Sequence, residues 1–318
     1  MDGLDDLFSA VQQGLFEAAV QPALFALGLG NLLEDGYLAT AWFLVGVLQI
    51  ALLVLIVGPL QRWRPVEPVR DRATIRTDIV YTVIHRLGLF RIALFFTLEP
   101  WFDELFGALR TAGYGTFHLD QLWPGVTDGA VVSFLIYLVV FDLVGYWIHR
   151  GQHQVGFWWR LHSLHHAQRQ MTMWSDNRNH LLDDLLRDSL LVLTAQIIGV
   201  APAQFVAIVA LTQLSESFQH ANLRLWFGRI GERLWVSPRF HRRHHSIGVG
   251  HESVGKNTLG GANFGVLLPW WDMLFGTSNF EQRYDPTGVR DQVEQNRDYG
   301  RGFWSQQWQG LKRLAGRA

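Results

Sequence analysis

Residues 38–60 (LATAWFLVGVLQIALLVLIVGPL) carry no charge over twenty-three positions. That run limits what the chain can fold into more than any other feature. A helix of about 20 apolar residues crosses the roughly 30 Å hydrocarbon core of a bilayer. Only a helix or a closed barrel satisfies its own backbone polar groups there. The run is therefore read as a spanning helix.

Three further apolar runs follow. Ile79–Phe102 is less clean, because it contains His85, Arg86 and Arg91; His85 reads as a polar residue inside the bundle. Val131–Ile148 ends directly in His149. Leu185–Phe218 is broken by Gly199 and Pro202 and reads as one kinked helix or as a hairpin that dips into the membrane and returns. Residues 103–127 read as a Gly-rich loop. Residues 1–34 read as an interfacial or imperfect N-terminal helix, since Gln12, Gln13, Glu17, Gln21 and Pro22 interrupt it; packing on the bundle is the alternative. The expected fold is all-α, an integral membrane helical bundle with a cytoplasmic histidine-bearing helical cap. Residues 35–279 form the embedded domain and 280–318 a cytoplasmic tail. In that tail Trp304, Trp308, Leu311 and Leu314 mark an amphipathic helix at the membrane surface.

Arginine sets the orientation. Arg62, Arg64, Arg70, Arg72 and Arg76 follow the first span, and basic loops stay cytoplasmic. Two crossings later the chain returns to the cytoplasm at His149. Lysine occurs only at 256 and 312 among 27 basic residues, a bias of GC-rich bacterial genomes, so the expected location is a bacterial inner membrane. Net charge is −1, which gives no electrostatic case for nucleic acid. Cysteine is absent, which excludes disulfides, thiolate-ligated haem and iron–sulfur clusters within the chain.

Histidine carries the chemistry. His149 and His153 are four apart; His162, His165 and His166 follow i, i+3, i+4; His241, His244 and His245 repeat that pattern. On helices such spacings put each set on one face. Imidazole ligates zinc, iron, copper and nickel, and a catalytic zinc usually needs three protein ligands. Eight histidines exceed that and suggest two metal ions. His180 and His220 add two more. Among carboxylates, Asp142 lies seven residues before His149 and is placed to hold a ligand histidine by its second nitrogen. Glu216, four before His220, is placed to do the same or to bind metal. Asp183, Asp184 and Asp272 are further candidates, an ion pair with arginine being the ordinary alternative for each. His118 and His251 stand outside the sets.

The ordered motifs are DLVGYWIHRGQH at 142–153, WRLHSLHH at 159–166, RNH at 178–180, FQHAN at 218–222, FHRRHHS at 240–246 and NFGVLLPWWDMLFGT at 263–277. Over about residues 135–277 the series resembles the fatty acid hydroxylase and sterol desaturase superfamily of integral membrane di-iron oxygenases. The resemblance implies that His149, His153, His162, His165, His166, His241, His244 and His245 are iron ligands. His220 matches the single histidine between the later sets. His180 matches the R-x-H position, with Leu181 in place of the usual proline. It implies two Fe ions (zinc can substitute on purification), O2 as co-substrate and hydroxylation or desaturation of a fatty acyl chain, sterol, carotenoid or ether lipid. Electrons would come from a separate ferredoxin-, rubredoxin- or cytochrome-like protein, and Arg150, Arg160, Arg239, Arg242 and Arg243 would suit an acidic donor. Two other classes compete. A zinc-dependent membrane hydrolase expects an HExxH-like arrangement, and none occurs. A metal or haem transporter expects polar residues spread through the spans, whereas these histidines gather at span ends.

Overall fold

In a computed structural model, residues 2–247, 252–253, 258–259 and 261–317 are described. Helices build the fold, with one short antiparallel pair, Glu252–Ser253 against Thr258–Leu259. The chain enters through α1 (Asp2–Leu15), which runs on as Phe16–Val20 and Gln21–Ala26. It turns at Gly28, where φ is 73°, and returns as α2 (Gly30–Trp63). Of the polar interruptions in residues 1–34, Gln12 has its partner on α2. Gln12 donates to the Tyr37 carbonyl at 2.9 Å, and the Phe16 ring meets Tyr37 edge-on.

Helix α2 contains the uncharged run and has length and apolarity enough to cross a membrane. Its outer face exposes Leu48, Leu55 and Ile56, the pattern of a lipid-facing surface. Among the described residues α6 (Ala130–Gln154) also meets that condition. Helices α3 (Arg72–Arg86) and α4 (Leu89–Thr97), bent by 49° at a break, make a third candidate if they form one span. The break is Gly88, held at φ 80°, where glycine has no steric penalty. The polar residues of that run meet partners inside the bundle. Arg86 is buried and donates to Asp176 at 2.9 Å, to Ser217 Oγ at 2.8 Å and to the Gln213 carbonyl at 2.8 Å. Arg91 lies 3.6 Å from the Trp42 ring centre, and His85 lies 3.3 Å from Asp184. Gly46 of α2 abuts the Arg86 carbonyl so closely that a Cβ would sit 1.7 Å from it.

Residues 103–111 are helical rather than loop. They belong to α5 (Glu99–Thr111), started by Pro100 in its first turn, where the missing N–H has no helical partner to lose. The broken fourth run is a hairpin of α8 (Leu181–Ile198) and α9 (Pro202–Gln219). Its tip is Gly199 at φ 68°, where a Cβ would lie 2.4 Å from His118 Nδ1. The Tyr137 hydroxyl, near the start of α6, lies 3.2 Å from the carbonyls of Ile198 and Gly199. The hairpin therefore leaves the histidine end of α6, reaches its other end and comes back. A core of Tyr137, Leu138, Phe141, Ile208, Leu267 and Leu268 packs α6, α9 and the 267–268 segment together.

Two shorter helices complete the histidine-bearing layer, α7 (Gly156–His166) and α10 (Pro238–His244). Helix α11 (Trp270–Leu274) precedes the C-terminal α12 (Phe303–Leu314). On α12 the polar Gln306, Gln307 and Arg313 turn inward while Trp304 and Trp308 are 79% and 59% exposed. An outward indole stripe is what a helix at a membrane surface presents.

Candidate metal centre

Nine histidines converge. His149, His153, His162 and His166 form one group; His165, His220, His241 and His245 form a second; His244 joins His166 and His245 in a third. Within each group the ligand atoms lie within 4.8 Å of one another. In the second group, Nε2 of His220 is 3.1 Å from that of His165 and 3.0 Å from that of His241, and His245 Nε2 is 3.1 Å from His241 Nε2. Metal–nitrogen bonds of about 2.0–2.1 Å place neighbouring ligand atoms about 3.0–3.4 Å apart, so these edges suit one central ion. The His149 and His244 rings, from the two distant sets, have centres 4.3 Å apart.

The opposite nitrogens fix the rings. His162 Nδ1 donates to Asp183 Oδ2 at 2.8 Å. His149 Nδ1 donates to the Phe264 carbonyl at 2.9 Å and His244 Nδ1 to the Ala262 carbonyl at 2.8 Å. His220 Nδ1 donates to the Glu216 carbonyl at 2.7 Å. Each bond leaves the Nε2 lone pair facing the cluster, as a ligand imidazole requires. Burial, then the charge of neighbouring rings, holds His165, His166, His241 and His245 well below the ordinary histidine range. They are neutral at physiological pH, the form that binds metal.

The carboxylates divide. Asp183, which accepts from His162 Nδ1, also accepts from Gln152 Nε2 and Trp158 Nε1, each at 2.7 Å. Burial alone would raise its pKa, but His162 and these donors outweigh that and hold it below the ordinary range. Asp142 does not touch a histidine. It accepts from the Leu267 and Leu268 amides and from Trp271 Nε1, clamping the later loop to α6. Asp272 acts one step removed: it accepts the Phe264 and Gly265 amides at 2.8 and 2.7 Å and so aims the Phe264 carbonyl at His149. Glu216 meets His220 through its backbone oxygen, not its carboxylate. Asp184 pairs with His85 and Arg187.

His180 is not brought into any group. Its Nδ1 accepts the Leu182 amide at 3.1 Å, capping α8, and its Nε2 donates to the Gln307 carbonyl at 2.9 Å. Both nitrogens are used, so the expectation of a tenth ligand is corrected. The arginines expected to greet a donor are largely internal. Arg239, Arg242 and Arg243 are each under 5% exposed and pair with Glu232, Glu67, and Glu281 with Asp285. Arg160 reaches the Leu314 carbonyl and Arg150 the Tyr146 hydroxyl. His251 lies outside the described residues.

The sequence did not disclose the carbonyls of Ala262, Phe264 and Glu216, because a backbone oxygen has no residue-type signal. Asp176 was also missed, though it stands between the second set and His180. It accepts from Arg86 and Ser217 and lies 3.8 Å from His220 Nδ1.

A cavity is lined by His149, His162, His165, His220 and His241 together with Phe141, Leu191, Phe205 and Ile208.

Residues 134–277 match the family model for fatty acid hydroxylase. The chain is similar to ornithine lipid hydroxylase OlsE of Rhizobium tropici, 26% identical over 248 residues, 78% of this chain and 70% of that protein. It is similar to alkylglycerol monooxygenase of Caenorhabditis elegans, 26% identical over 148 residues, 46% of this chain and 26% of that protein. Human lathosterol oxidase is 30% identical over 115 residues, 36% of this chain and 35% of that protein. No solved structure gives a significant match.

Proposed function

The chain belongs to the fatty acid hydroxylase superfamily through residues 134–277, and on that premise we propose that it is a membrane-bound di-iron oxygenase that uses O2 and external electrons to hydroxylate or desaturate an unactivated C–H bond of a lipid. At the level of class it is a lipid-acting oxidoreductase. The convergence of nine histidines with no carboxylate among the grouped ligands carries the reading. One iron would be held by His149, His153, His162 and His166, the other by His165, His220, His241 and His245, with His244 beside both. Bound there, the irons would supply the chemistry of oxygen activation and hydrogen abstraction.

The chain's own residues do the rest. Asp183 and the carbonyls of Ala262, Phe264 and Glu216 keep the ligand rings in place against thermal rotation. The walls at Phe141, Leu191, Phe205 and Ile208 exclude water and accept the apolar part of the substrate. Placement of the carbon to within about an ångström decides between hydroxylation and desaturation. The similarity to an ornithine lipid hydroxylase along most of both chains favours hydroxylation of a polar membrane lipid. The five arginines from Arg62 to Arg76 favour a cytoplasmic active site, and the scarcity of lysine favours a bacterial inner membrane. The electron donor is then a soluble ferredoxin-, rubredoxin- or cytochrome-like protein.

The test is metal content and Mössbauer spectroscopy of protein purified anaerobically from ⁵⁷Fe-fed cells, with His165→Ala as control and lipid profiling of cells with and without the protein. About two irons per chain, spin-coupled after oxidation and lost in the control, together with an oxidised lipid, are expected. Zinc alone under every growth condition would move the reading to a hydrolase.

A further inference from the structure

The cavity beside the histidines is not uniformly apolar. Its wall also carries Glu216, Asp188, Arg187, Arg91 and Asp176. Most of these have partners of their own. Arg187 lies 3.4 Å from Asp184 Oδ1 and 3.2 Å from Asp188 Oδ1. Arg86 is engaged by Asp176, and Arg91 stacks on Trp42. Glu216 differs. Its carbonyl takes the His220 Nδ1 proton, but its carboxylate makes no hydrogen bond among the described residues while facing the cavity.

The charges there do not balance. Asp176, Asp184, Asp188, Glu99 and Glu216 face three guanidiniums, Arg86, Arg91 and Arg187, of which Arg86 is bonded to Asp176 and Arg187 to Asp184 and Asp188. An enclosed carboxylate without a donor is costly. A ligand that brings an ammonium group would remove that cost. Glu216 is also one helical turn before His220, so the two side chains leave the same face of α9.

We propose that Glu216 receives the ammonium group of a lipid headgroup, so that the carbon offered to the metal centre lies within a few bonds of that nitrogen rather than far down an acyl chain. Glu216 is thus a residue that determines specificity. The inference rests on the oxygenase reading and narrows its substrate to lipids with a cationic headgroup.

Two probes separate the ideas: an ornithine-headed lipid, and the same lipid with its free amine acetylated. Binding is measured by displacement on detergent-solubilised protein loaded with zinc, which does not turn over, and turnover is measured on iron-loaded protein. Wild type should bind the free amine ten- to a hundredfold more tightly, the range of a charge-assisted hydrogen bond. Glu216→Gln should erase that preference, keep its metal content and bind the acetylated lipid within twofold of wild type; Glu216→Asp should restore part of the preference. Equal binding of both lipids by wild type would overturn the proposal, as would loss of metal in Glu216→Gln, which would assign the carboxylate to the ions. A uniform loss of both affinities would also overturn it, as a structural effect. The oxygenase reading fails separately, if iron-loaded wild type oxidises neither lipid. Equal turnover of both lipids would retain the oxygenase and remove only this role for Glu216.

Discussion

Asp183 Oδ2 accepts the His162 Nδ1 proton at 2.8 Å across 21 residues of sequence. The bond ties the start of α8 to the middle histidine set. Because Gln152 and Trp158 hold the other oxygen of the same carboxylate, α6, α7 and α8 meet at one side chain. Asp183→Asn keeps the shape and loses the charge, and partners of this kind are worth about 10- to 100-fold in metal affinity. Dialysis against graded chelator should strip the ion held by His149, His153, His162 and His166 first, while the second is retained. Simultaneous loss of both, at wild-type chelator concentration, would show that Asp183 does not orient the ring.

His220 and His180 offer a paired test. His220 Nε2 is within 3.1 Å of two other ring nitrogens, whereas His180 spends both nitrogens on Leu182 and Gln307. His220→Ala should lower the metal count of the purified protein. His180→Gln should leave that count unchanged and cost about 1–3 kcal/mol of stability through a lost cap and an unpaired buried carbonyl. Metal analysis beside thermal unfolding separates the two; loss of metal in the His180 variant at undiminished stability would return that residue to the ligand set.

Much of this was legible in residue types. The spacing of His149 and His153, and of the two HxxHH sets, specifies faces of helices, and helix geometry then supplies the geometry of ligation. The uncharged run at 38–60 likewise fixes a long helix. His180 was misread because a histidine following R-x looks the same whether it ligates or caps; the deciding partner, Gln307, is 127 residues away in a segment without motifs. Asp142 and Asp272 bond backbone amides, targets that carry no mark in sequence. Arg239, Arg242 and Arg243 suit an acidic donor by residue type alone, and the acids that pair with them, Glu232, Glu67, Glu281 and Asp285, lie in other segments.

Those arginines yield a third prediction. Arg239 is 1% exposed and paired with Glu232, so reversing its charge leaves two carboxylates confronting each other in the interior. Breaking one partner of a buried pair costs about 3–5 kcal/mol. Arg239→Glu should therefore lower expression and thermal stability and depress turnover equally with any electron donor. A stable variant impaired only with a protein donor would restore the docking role.

The metal-free protein should be sensitive to acid in a defined direction. Burial, followed by the charge of neighbouring rings, depresses the folded pKa of His165, His166, His241 and His245 below 6.5. Below that value the unfolded chain binds more protons than the folded one, so stability rises with pH there and falls as pH drops. Each ring contributes about 1.4 kcal/mol per pH unit in that window, and above about pH 7.5 these groups contribute no slope. Chelator-treated protein in detergent should hold a constant Tm from pH 8 to 7 and lose it steeply from 6.5 to 5. Replacing His245 by Gln should shallow the fall. Loaded protein should release metal across the same acid range, because protons and the ion compete for the same nitrogens. A Tm of the stripped protein that is flat down to pH 5 would mean that the rings are already protonated or solvated when the metals are absent, and that the cluster is assembled by the metals rather than waiting for them.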